Sequence, residues 1–205
     1  MKLGVTLALI CALFSKAPAL RCYQCMPQLF GDCTDTQTYC PHQCDSKTIV
    51  LNFGDQKHEI HSKTCAIAEQ CVTGSLNLGH MKMTFNTKCC STDLCNSQKV
   101  TALPQGSPNG KICYACSKDG CSETVRCEGD EDRCISTTVN SGGVKMTMRG
   151  CVSRSLCVGD TTNIEEAGIT GDVRCCEGNL CNRAAGVKLS LLIMLVSLLS
   201  SILFF

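Results

Sequence analysis

"CCSTDLCN" spans residues 89–96 and "CCEGNLCN" spans residues 175–182. Each has two adjacent cysteines, four residues, a third cysteine and an asparagine. Upstream of these endings, cysteines fall at 22, 25, 33, 40, 44, 65 and 71, and again at 113, 116, 121, 127, 134, 151 and 157. The last four intervals are 6, 18, 1 and 5 in both sets, whereas the earlier ones differ by a few residues. Fixed rungs at one end and variable loops at the other mark an internal repeat. The chain holds two copies of one cysteine framework.

With 21 cysteines in 205 residues, the composition is that of a disulfide scaffold made in an oxidising compartment. The N-terminus supplies the route: Lys2, the apolar run LGVTLALICALF, then Ala17-Pro18-Ala19. Residues 1–19 read as a signal peptide cut between Ala19 and Leu20, since a cut after Ala17 would leave Pro18 first. Cys11 leaves with the signal, and the remaining 20 cysteines are even in number.

The C-terminal run Leu189–Phe205 is 17 residues long, apolar, and followed by nothing. A spanning helix takes about 20 apolar residues and usually has basic residues beyond it. A short hydrophobic tail preceded by small residues instead signals a glycosylphosphatidylinositol (GPI) anchor. Residues 184–205 are therefore expected to be removed, with lipid attached at Asn182 or, as the alternative, Ala184. Without both signals, residues 20–182 carry 15 basic and 18 acidic side chains, a net charge of −3. No clustered positive surface is present for nucleic acid.

Each unit runs about 70–75 residues and contains no tryptophan. A core that small buries too little apolar area to be secure alone, so disulfides, each worth roughly 2–4 kcal/mol, must supply much of the stability. Between the cysteines the residues alternate with period two. Thr48–Phe53 runs into Gly54-Asp55-Gln56 and returns as Lys57–Thr64. Ile135–Asn140 meets Ser141-Gly142-Gly143 and returns as Val144–Arg149. Both read as hairpins, and His80–Phe85 as a further strand. The fold class is all-β, with long hairpins projecting from cysteine-bound bases. The stretch KVTALPQGSPNGK (99–111) reads as an exposed linker between units at 20–98 and 112–183.

With "LRCYQC" at 20–25, "KICYAC" at 111–116 and the two CCxxxxCN endings, the chain resembles the lymphocyte antigen-6 and urokinase-receptor family. Its three-finger (LU) domain is also that of snake neurotoxins. The resemblance implies two tandem three-finger domains. In the first it implies the disulfides Cys22–Cys44, Cys25–Cys33, Cys40–Cys65, Cys71–Cys89 and Cys90–Cys95. In the second it implies Cys113–Cys134, Cys116–Cys121, Cys127–Cys151, Cys157–Cys175 and Cys176–Cys181. Spacing alone does not choose among the possible connectivities. The resemblance also implies that Asn96 and Asn182 bond back into the base as structural caps. One departure stands out: Cys40 and Cys44 are four apart, Cys127 and Cys134 seven.

Candidate chemistry is sparse. Cys-x-x-Cys at 22–25 and 113–116 could bind zinc or exchange disulfides, but behind a signal peptide and inside a matched ladder it reads as structural. The four histidines, His42, His58, His61 and His80, all lie in the first unit. His58 and His61 are three apart on a strand and face opposite ways. No nucleophile elbow or phosphate loop occurs. The reading is therefore a non-enzyme without cofactor or metal.

The stripes Met81, Met83, Phe85 and Val144, Met146, Met148 each line one strand face. They serve either as the partly buried side of a sheet or as an adaptable patch for a protein partner, with Met81, Met83, Met146 and Met148 its contacts. The acidic run Glu128–Asp132 reads as a solvated loop that would at most steer a basic partner.

The reading is a cell-surface binding protein, anchored in the outer leaflet of the plasma membrane through GPI. Its finger loops would contact a protein ligand or a membrane receptor. Relatives of this kind bind proteases, complement proteins, acetylcholine receptors or gamete partners. With two domains instead of three, urokinase binding is not expected; without the tryptophan-bearing face, neither is complement inhibition. The alternative is a soluble inhibitor of a secreted enzyme, resembling the two-domain gamma-type phospholipase inhibitors.

Overall fold

The structure, a computed structural model, describes residues 19–27, 33–141, 144–157 and 172–183. Most of the segment read as a signal peptide (residues 1–18 of 1–19), Ala184 and the C-terminal apolar run lie outside the described residues. In the first copy, β1 (Leu20–Gln24) pairs with β2 (Thr36–Cys40). Strands β3 (Gln43–Phe53) and β4 (Gln56–Ala66) form the central hairpin around the two-residue turn Gly54-Asp55. Gly54 has φ +58, a conformation glycine adopts without a side-chain clash. β5 (Thr73–Asn77) and β6 (Met81–Cys90) make the third finger, and β6 also pairs with β3. Among the described residues of the second copy, β7 (Pro108–Ser117) pairs with β8 (Gly120–Glu128), and β9 (Arg133–Ser141) pairs with both β10 (Val144–Val152) and β11 (Asp172–Cys176), as β3 pairs with β4 and β6.

Ten disulfides tie the described strands together: Cys22–Cys44, Cys25–Cys33, Cys40–Cys65, Cys71–Cys89, Cys90–Cys95, Cys113–Cys134, Cys116–Cys121, Cys127–Cys151, Cys157–Cys175 and Cys176–Cys181. All four cysteines of the Cys-x-x-Cys pairs are used in them, which leaves no thiolate there for zinc. The sulfurs of Cys113, Cys127 and Cys151 lie within 4.8 Å of one another, but each belongs to a disulfide too. They are two bridges stacked in the base.

The two domains are not beads on a string. Their strands join into one seven-stranded sheet in the order β11-β9-β10-β5-β6-β3-β4. The seam is β5 against β10, with Cys151 opposite Asn77 and Val152 opposite Leu76. Asn77 in turn pairs with Lys82, and Lys82 with Asn52 beside the turn at Gly54. The base of the second domain thus docks level with the fingertips of the first. The buried apolar cluster crosses the seam: Leu76, Leu78 and Phe85 pack with Ile135, Val152 and Leu156.

The stretch read as an exposed linker is instead partly fastened. Val100 is buried, and the carbonyls of Gln98, Val100 and Thr101 accept hydrogen bonds from Ser46, Thr48 and Asn86. Residues 108–111 already belong to β7. Polarity misled here because the apolar residues of this stretch, Val100, Ala102 and Leu103, are few and form no run, while its backbone carbonyls are satisfied by side chains of the sheet beneath it.

Candidate functional site

The repeated endings act as knots. Leu94 and Leu180 sit at φ +55 and +58, and their amides donate to the carbonyls of Arg21 and Ile112. Asn96 accepts from the Tyr23 amide at 2.9 Å and donates to the carbonyls of Tyr23 and Asp45. Asn182 does the same with Tyr114 and Ile135. Both asparagines are buried, so each joins the first strand to the central hairpin where water cannot compete.

One preceding position differs between the copies. Asp93 accepts from both the amide and the guanidinium of Arg21, and these hydrogen bonds, the backbone one foremost, lower its pKa. Its counterpart Asn179 accepts only from the Ile112 amide and carries no charge.

In an antiparallel sheet, cross-strand partners share a face. Met81 lies opposite Phe53, Met83 opposite Leu51 and Leu76, and Phe85 opposite Ile49. Continued across the seam, this face carries Val152, Met148 and Met146. One apolar face therefore runs through both domains. Met81, Met83 and Met148 are partly buried against the cross-domain core. Met146 is 57% exposed, as is Phe53 at the tip of the first central finger. The two readings of the methionine stripes divide by residue: three are anchored in the sheet, one is open. The side chain of Val144 is not described. Phe53 stands edge-on to His80, with ring centroids 6.2 Å apart.

The histidines do not converge. His61 shares a 2.8 Å hydrogen bond with Thr48 through Nδ1 and lies 3.3 Å from Glu59 through Nε2, while His58 is on the opposite face. Lys63 is buried, donates to Asp35 and to the Ser97 carbonyl, and lies over the Tyr23 ring. These contacts hold the first finger and the strap to β4.

The acidic run departs most from expectation. Glu131 has no exposed surface. Its Oε1 accepts from Ser75 Oγ at 2.8 Å; its Oε2 accepts from the Glu128 amide at 2.8 Å and from Asn77 Nδ2 at 3.4 Å. Ser75 and Asn77 belong to the first domain, so the carboxylate spans the seam. Glu128 takes an ion pair with Lys82, also across the seam. Desolvation raises the Glu131 pKa, against the lowering effect of the Glu128 amide, Ser75, Lys82 and Asn77.

Around this carboxylate, Ser153 donates to the Ser75 carbonyl at 2.9 Å, its hydroxyl accepts from the Ser75 amide, and Ser155 donates to the Thr73 carbonyl. Gly150 lies so near that a Cβ there would stand 2.0 Å from the Asn77 carbonyl oxygen.

A signal for this seam was present in the sequence. Aligned on the 65/71 and 151/157 cysteines, Gly150, Ser153 and Ser155 correspond to Thr64, Ile67 and Glu69 in the first copy. The seven-residue interval that contains Glu131 corresponds to one of four. The seam is written in the differences between the repeats.

Comparison with known proteins agrees with this architecture. The u-PAR/Ly-6 domain model matches residues 18–98 and 109–184. The urokinase plasminogen activator surface receptor of Bos taurus is 32% identical over 75% of the chain, which spans about half (48%) of that receptor. Ly6/PLAUR domain-containing protein 5 of Homo sapiens is 28% identical over 89% of the chain and 86% of its own length. Phospholipase A2 inhibitor PIP of Malayopython reticulatus is 24% identical over 75% of the chain and 83% of its length. The chain belongs to the u-PAR/Ly-6 domain family, as a member with two three-finger domains.

Proposed function

We propose that this chain is a GPI-anchored cell-surface binding protein that presents the apolar face shared by its two domains to a protein partner. The observation that carries the reading is the continuity of that face: a rigid sheet supports open apolar side chains, Phe53 and Met146, on the central fingers of both domains. A rigid base with exposed finger residues suits recognition; the hydroxyl that meets a histidine, Thr48 beside His61, is buried and donates to the Val100 carbonyl.

Among the described residues, no helix is long and apolar enough to cross a membrane. Anchoring at Asn182, the first choice from sequence, conflicts with its burial and its three hydrogen bonds. Attachment at Ala184, the alternative from sequence, leaves the hydrogen bonds of Asn182 untouched and is the reading we take.

The test uses cells expressing the full chain with an epitope tag ahead of Leu20, treated with phosphatidylinositol-specific phospholipase C. Release into the medium supports the anchor. A resistant surface signal refutes it in favour of a spanning tail. Protein already in the medium before treatment favours the second reading, a soluble inhibitor of a secreted phospholipase, which the match to inhibitor PIP along most of its length keeps in view.

A further inference from the structure

A carboxylate with no exposed surface, at a seam only two residue pairs long, needs a reason. Burying a charge costs several kcal/mol unless it is well compensated, and a hydrophobic replacement is often as stable. Glu131 is compensated by three hydrogen-bond donors and by Lys82 Nζ, 3.9 Å from Oε1. The other charged groups nearby oppose or dilute that help. Glu128 takes Lys82 for itself, Asp130 is exposed on the same turn, and Asp132 is engaged by Arg133. From β7, Asn109 donates to the Glu131 carbonyl and fixes the backbone without neutralising the side chain.

The geometry also admits the neutral acid. A proton on Oε1 can be donated to Ser75 Oγ, because a hydroxyl both donates and accepts, while Oε2 keeps its two donors.

We propose that Glu131 is a positioning residue that latches the two halves of the shared apolar face in register, and that the latch tightens when its carboxyl takes up a proton. The consequence for binding rests on the proposed function; the latch itself does not. Its direction follows from linkage. The docked state holds the proton more firmly than the undocked state, in which Glu131 is hydrated. Docking is therefore strongest on the acidic side and weakens as pH rises through the pKa of the docked carboxyl. The surface is then stiffest at acidic pH.

The test is hydrogen exchange by mass spectrometry on the full chain in detergent micelles, with no partner present. Exchange is followed in peptides covering residues 73–77 and 150–155 and corrected for intrinsic rates. As pH falls from about 8 to about 4, through the ordinary carboxyl range, seam protection should rise in the wild type. Glu131→Gln places its amide against Ser75 and should be protected at both values; Glu131→Ala should be protected at neither. Lys82→Met removes the cation that favours the charged form and should move the rise to higher pH. Seam protection that is flat with pH in the wild type, or that changes equally in Glu131→Gln, overturns the latch. A pH-dependent seam with no partner found at any pH would fail the binding reading alone.

Discussion

Gly150→Ala is the sharpest probe of the single-sheet architecture. The new methyl carbon would lie 2.0 Å from the Asn77 carbonyl oxygen and 2.9 Å from both the carbonyl carbon and the Leu78 Cα, where ordinary contact begins near 3.4 Å. All three obstacles are backbone, so no rotamer relieves them, and β5 and β10 must part by about 1.4 Å.

The Ser153 amide to Ser75 carbonyl bond, 2.9 Å long, cannot stretch that far and survive. Its companions, from the Ser75 amide to Ser153 Oγ and from Ser155 Oγ to the Thr73 carbonyl, are lost with it. Overpacking at about 1–3 kcal/mol and three seam hydrogen bonds at about 1 kcal/mol each give a penalty of roughly 4–6 kcal/mol against docking. Each domain keeps its own five disulfides, so the damage should stay at the seam. Exchange in peptides 73–77 and 150–155 should accelerate, the radius of gyration from X-ray scattering should grow, and a hydrophobic dye should bind the uncovered Leu76–Val152 surface. Gly54→Ala, whose Cβ meets nothing within 4 Å, is the control: it costs about 1 kcal/mol of local strain and leaves the seam alone. If Gly150→Ala keeps wild-type seam protection and scattering, the two domains do not share a sheet.

Three further outcomes follow. Asn96→Ala removes three hydrogen bonds around buried groups and should lower thermal stability by roughly 2–4 kcal/mol, more than the exposed Thr92→Ala, as read by calorimetry. Asp93→Asn should flatten the acid limb of unfolding. The Asp93 pKa is lowered by Arg21, so its contribution is present above the ordinary carboxylate range and is lost as pH falls through the lowered value; an unchanged acid limb would sink this account. Met146→Thr should leave the melting temperature unchanged while weakening capture of a cell-surface partner, whereas Met83→Thr should destabilise by about 1–2 kcal/mol; the reverse pattern would assign Met146 to the core.

The fold was legible because its determinants are local and repetitive. The ladder at 71–95 and 157–181 announces two copies, and the alternation around Gly54 announces a hairpin. Connectivity came through resemblance, since cysteine spacing leaves many pairings open. The functional surface was half legible: the period of two puts Met81, Met83, Met146 and Met148 on strand faces but carries no information on what covers them. Glu131 was not legible as a buried group. Acidic residues on a loop are usually hydrated, and its donors, Ser75 and Asn77, lie more than 50 positions upstream in the other domain.

That asymmetry explains why two nearly equivalent domains keep a fixed order. Docking needs a bare backbone at Gly150, hydroxyls at Ser153 and Ser155, and the longer loop bearing Glu131, all on the second domain. The corresponding edge of the first domain, β4 with the turn that follows it, presents Thr64, Ile67 and Glu69, and its short 40–44 interval has no room for an equivalent carboxylate. A Cβ at position 64 would meet a docking strand where Gly150 meets none, and Ile67 offers no hydroxyl to satisfy the incoming amide. The same seam therefore cannot form on β4, and repetition through this contact stops after one use. Identity between the copies secures each domain; difference between them determines how the two combine into one face.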